Sequence, residues 1–80
     1  MANPLAALFV LKLKDFDNAT LAALNNAIQG FGRLAPANTA FTKALEAGLI
    51  DENGKPVELQ SLIDASSFEV NRRITAGTFN

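Results

Sequence analysis

Eighty residues carry seven Lys/Arg against eight Asp/Glu, a net charge of −1, and no histidine, cysteine, tryptophan or tyrosine. Those absences exclude the neutral-pH imidazole shuttle, thiolate nucleophiles, disulfides and Cys/His zinc sites, and the lack of a cationic cluster argues against binding dominated by nucleic-acid phosphates. A hydrophobic content of 49% suits one small domain close to the lower size for a self-sufficient core, while 19% charged residues, below the usual quarter, points towards a partner surface.

Asn3-Pro4 is a helix-start signal, because Asn caps and Pro is pre-set for the first helical position. Leu5, Leu8 and Phe9 follow at helical spacing, with Phe16 seven residues further on. The same stretch also alternates Phe9, Leu11, Leu13 against Val10, Lys12, Lys14, a period of two that suits a strand. The expected reading is a helix over 4–14. Its apolar run, Leu5 to Leu11, is far shorter than the ~20 residues of a spanning helix. Lys12 and Lys14 follow that run instead of preceding it, so a secretory signal is not expected either. The expected location is the cytoplasm where the chain is made, with incorporation into a virus particle as the extension.

Asp17 stands as an N-cap, with Phe16 before it placed to pack on Leu21 as a hydrophobic staple. Leu21, Leu24, Ile28 and Phe31 form one apolar stripe. Gly30 and Gly32 then close a helix over 18–30. Arg33 to Asn38 is a connector, and Asn38 or Thr39 caps a third helix bearing Phe41, Leu45 and Leu49, with Gly48 as its C-cap.

Asn53-Gly54 favours a type I′ turn and a small hairpin with Ile50 facing Val57. A competing reading starts a fourth helix at Pro56, with Glu58 in its first turn and Leu59, Leu62 and Ile63 on one face; apolar spacing favours that helix, over 56–65. Ser66 and Glu69 stand at capping-box spacing, yet Phe68, Val70 and Ile74 fit a strand as well as a helix, and this stretch stays open. Residues 1–74 are expected to form one helical domain and 75–80 a C-terminal tail. The expected fold is mainly α, a compact bundle of three to four short helices with a small β-hairpin or short strands, and α+β as second choice. Its core is expected from Leu21, Leu24, Ile28, Phe31, Phe41, Leu45, Leu49, Leu59, Leu62 and Ile63.

Paired carboxylates are the remaining acid–base chemistry: Asp15 with Asp17, and Asp51 with Glu52. Catalysis requires one of a pair to be desolvated beside a differently placed partner, whereas these pairs flank a helix start and a turn, which are solvated positions. Asp51 to Gly54 fails the calcium-loop frame, because the twelfth residue from Asp51 is Leu62 and not Glu. No Ser-x-x-Lys, Gly-x-Ser-x-Gly or P-loop pattern occurs. Asn18-Ala19-Thr20 matches the glycosylation sequon but reads as a helix start. No enzyme, cofactor or metal site is expected.

Thr39, Lys43, Leu45, Gly48, Leu49 and Ile50, followed by the Asn-Gly turn, resemble the passage from recognition helix to wing in winged-helix DNA-binding domains. That resemblance implies nucleic-acid binding and is the alternative reading. Lys43 is the sole cation on the implied reading helix, and the connector Gly30–Asn38 is long for a helix-turn-helix, so nucleic acid is not the expected partner. Arg72-Arg73, Gly77 and Phe79 are similar to the end of lambda-type phage head–tail joining proteins, where an arginine run precedes a glycine and an aromatic residue. Those proteins have a hairpin between two helices and lack the extra N-terminal helices read here. The resemblance implies a virion component. The expected function is a small structural or assembly protein, part of an oligomer or larger complex, with Arg72, Arg73 and Phe79 binding a protein partner or another subunit.

Overall fold

A computed structural model of the chain describes residues 3–79, with helices α1 (Pro4–Leu13), α2 (Asn18–Phe31), α3 (Phe41–Glu46) and α4 (Leu59–Ala76). The mainly helical bundle expected from the sequence is what forms. Its radius of gyration, 11.4 Å, matches the about 11.6 Å of a compact 80-residue domain.

In α1, Asn3 holds extended backbone and its Oδ1 accepts from the Leu5 and Ala6 amides at 3.0 and 3.3 Å. Helical periodicity prevails over the period-two alternative, but in a different phase from Leu5 and Leu8. The buried side is Ala6, Phe9, Val10 and Leu13, at i, i+3, i+4 and i+7. Helix α2 forms as expected and runs to Phe31, where Gly32 at φ 71° supplies the left-handed C-cap. Asp17 takes the N-cap position without a side-chain capping bond. Helix α3 is shorter than expected, ending at Glu46, so Ala44 is buried while Leu45 turns outward.

The stretch read alternatively as hairpin or helix contains both, divided at Glu58. Leu49 and Val57 share a backbone bond (3.0 Å), as do Asp51 and Lys55 (2.8 Å), which pairs Ile50 with Pro56 instead of Val57. Pro56 therefore lacks no ladder bond, since both bonds run through its neighbours. The turn is not type I′, which needs positive φ at both central residues: Asn53 is not in that region, and among the described residues only glycines are. Gly54, at φ 82°, lies so close to the connector that a Cβ there would sit 1.9 Å from the Leu34 carbonyl oxygen. The Leu34 amide donates to the Gly54 carbonyl at 2.9 Å, fixing connector to turn.

Helix α4 starts at Leu59, not Pro56. The Glu58 carboxylate caps it by accepting from the Gln60 and Ser61 amides at 3.3 and 2.8 Å, and from the Ser61 hydroxyl. It continues unbroken through the open stretch and past residue 74, so 75 and 76 are its last turn. Gly77 and Thr78 then close it, with the Thr78 amide donating to the Arg73 carbonyl at 2.9 Å. Of the expected tail, Asn80 lies outside the described residues.

Helix α4 packs against both α1 and α2. Asn3 bonds Ser61 at the start of α1 and the Leu13 carbonyl accepts from Arg73 at its end, so α1 and α4 run parallel. Asn18 meets Arg73 and Asn25 meets Ser66, so α2 runs antiparallel to α4. Leu21, Leu24, Ile28, Leu49 and Leu62 are buried as expected, with Phe41 and Ile63 partly so. Phe31, Leu45 and Leu59 are not core residues and stand exposed. The core is completed instead by Phe9, Leu13, Phe16, Leu34, Ile50 and small alanines, with α1 packed along α4.

Candidate functional site

The three residues expected to bind a partner are distributed unequally. Arg73 is buried: its Nε donates to Glu69 Oε2 at 2.8 Å, Nη1 to Asn18 Oδ1 at 2.9 Å and Nη2 to the Leu13 carbonyl at 3.1 Å. It thereby gives the Leu13 carbonyl at the end of α1 a second donor beside the Phe16 amide, which bonds it at 3.0 Å. Arg72 grips the same carboxylate from the solvent side, Nε to Oε1 at 2.9 Å and Nη2 to Oε2 at 2.8 Å. Phe79 is half-buried against the core. Arg73 and Phe79 thus serve the chain's own packing, and Arg72 alone of the three is exposed.

Glu69 is fully buried between these guanidiniums. The Arg72 hydrogen bonds hold its carboxyl below the usual glutamate range; burial works against them, and Arg73 adds to them. A carboxylate so completely bonded is a structural anion and not a proton donor. Asn18 completes the cluster: its Nδ2 donates to the Thr78 carbonyl at 2.7 Å while its Oδ1 accepts from Arg73. Both ends of its amide are occupied, so the sequon residue works as a clamp between α2 and the C-terminal turn.

The other expected chemistry resolves into local structure. Asp51 Oδ1 accepts from the Asn53 and Lys55 amides at 2.9 and 3.0 Å, an Asx-type turn. Among the described residues no group of three or more Asp or Glu converges as a metal site. Lys43, the cation of the winged-helix resemblance, donates to the Asp15 carbonyl at 2.6 Å and lies 5.2 Å from the Phe16 ring centroid. It is tied to the end of α1 instead of projecting from α3.

Apolar side chains remain outside. The exposed positions of α1 between residues 4 and 11 are Pro4, Leu5, Ala7, Leu8 and Leu11, with no polar side chain among them. Leu11 is 60% exposed. At the far end of α2, Phe31 is 83% exposed beside a groove of about 480 Å³ lined by Ala27, Arg33, Ala35 and Asn38. No described helix is long and apolar enough to cross a membrane.

Sequence reasoning missed these surfaces because it assigned Leu5, Leu8 and Phe31 to packing stripes. The phase of Ala6, Phe9, Val10 and Leu13 was the available signal for α1. For Arg73 the signal was its place eleven residues after Leu62, on the line of Leu62, Ala65, Ser66 and Glu69. The chain matches no protein-family model, no curated protein and no solved structure.

Proposed function

We propose that the protein is a small non-enzymatic assembly component that docks the outer face of α1 on an apolar protein neighbour within a larger complex. One observation carries this reading: from Pro4 to Leu11, before Lys12, α1 is apolar on every side but covered on only one. A helix hydrophobic all round is ordinarily buried all round. Leu8 and Leu11, both exposed, would each gain on the order of 1 kcal/mol on being covered. The likeness of Arg72 to Phe79 to the ends of phage joining proteins supports a virion as the setting. Since Arg73 and Phe79 are occupied within the chain, docking falls to α1.

The reading is tested with a photo-crosslinking residue at Leu8 or Leu11 in the producing cell. Discrete crosslinked protein products are expected from both positions and not from Gln60, a solvated control site on α4. Leu8→Glu should abolish the complex while leaving the helical circular dichroism unchanged. Products absent from both leucine positions would remove the proposal.

A further inference from the structure

A second exposed apolar surface, separate from α1, lies at the end of α2. Phe31 projects from the last turn of α2 and forms one wall of a groove whose other walls are Ala27, Ala35, Arg33 and Asn38. Half-exposed Leu59 lies beside Gly32 and extends the apolar rim. The patch therefore holds both a projecting ring and, beside it, an open recess of about 480 Å³ floored in part by alanines, ample for one aromatic side chain.

Its charges are paired in the same manner. Among the described residues, exposed Arg33 makes only a long 3.5 Å contact, to the Asn53 carbonyl. That contact brings the guanidinium to the turn bearing Glu52, whose carboxylate enters no ion pair among the described residues. One patch thus offers a knob with a hole and a free cation with a free anion. A two-fold interface demands this self-complementarity, because each copy must present what the other receives. A different protein would need only the converse half.

We infer that two copies of the chain pair about a two-fold axis at the end of α2. Phe31 of each enters the groove of the other, and Arg33 of each faces Glu52 of the other. An aromatic anchor with an arginine at its rim is the usual composition of a binding hot spot. The patch is a small part of a 4535 Å² surface, so the pairing belongs with weak interfaces below ~1,200 Å² and dissociation constants on the order of micromolar.

Sedimentation equilibrium of the purified chain tests this. Mass is expected to rise from one copy to two as concentration passes from about 0.1 μM to about 100 μM. Phe31→Ala, at an exposed position, should keep the fold and weaken pairing roughly tenfold or more. Arg33→Glu and Glu52→Arg should each weaken it, and the two together should restore it. Leu8→Glu should leave it unchanged, so this result stands apart from the α1 proposal. A chain monomeric throughout, a dimer indifferent to Phe31→Ala, or a charge swap without recovery would overturn the inference.

Discussion

The two ends of the bundle are closed by different means. Where α1 and α4 finish and α2 begins, closure is ionic: Glu69, Arg72, Arg73, Asn18 and Thr78 share hydrogen bonds. Where α1 and α4 begin and α2 finishes, closure relies on close backbone approach at Gly54 and on the caps Asn3 and Glu58. Phe31, Val57 and Leu59 stay outside there. The ionic end satisfies its own polar groups although Phe68 and Ile74 stand exposed on α4 near it, whereas the other end adds a projecting Phe31 ring, and apolar side chains left in water retain a driving force for association.

The sharpest way to break this contrast is Gly54→Ala. A methyl group would meet the Leu34 carbonyl in a backbone conformation that alanine avoids. The expected loss is on the order of 5 kcal/mol, enough to unfold much of the population. Urea unfolding measures it, and a loss below about 1 kcal/mol would mean the connector is not fixed by this approach.

Next is Glu69→Ala, which strands Arg73 inside the protein and should cost roughly 3–4 kcal/mol. The same carboxylate sets an acid response. Its folded pKa lies below the ordinary value of 4.5, so the unfolded chain takes up the proton first. Its stabilisation is complete above that value and declines as pH falls below it towards the folded pKa. Wild type should lose stability on acidification faster than Glu69→Gln, with Glu58 supplying a residual slope in both. Equal slopes would show that the ionic end is not held by Glu69.

The smallest effect sharpens the other end. Asn3→Ala removes the α1 cap and the 2.7 Å bond to Ser61, and should cost about 1 kcal/mol. Thermal unfolding would detect it. No change would leave the Gly54 approach as the main closure of that end.

Helix α2 was readable because Leu21, Leu24 and Ile28 are its only inward face and polar residues flank them. Helix α1 was ambiguous because leucines lie on its outside as well, so two periodicities fit. Between 66 and 74 the usual inference runs backwards: Phe68 and Ile74 face solvent while Ser66, Glu69 and Arg73 face inward. Reading apolar residues as the buried face therefore cannot locate this half of α4. Nor does sequence alone distinguish adjacent arginines, one buried and one exposed, until the helix phase from Leu62 is known. The exposed apolar surfaces were legible only as a surplus of apolar residues. Which of them were surplus depended on how α1 and α2 pack on α4.

The side-by-side placement of the first and last helices also governs how the chain reaches its fold. Asn3 meets Ser61 and Leu13 meets Arg73 across 58 and 60 positions. During translation α1 thus emerges long before its mate exists, and it waits as a greasy segment that a chaperone could hold. Such non-local pairing raises contact order above that of an up-and-down bundle, so assembly of the native topology should be slower than its helical content suggests.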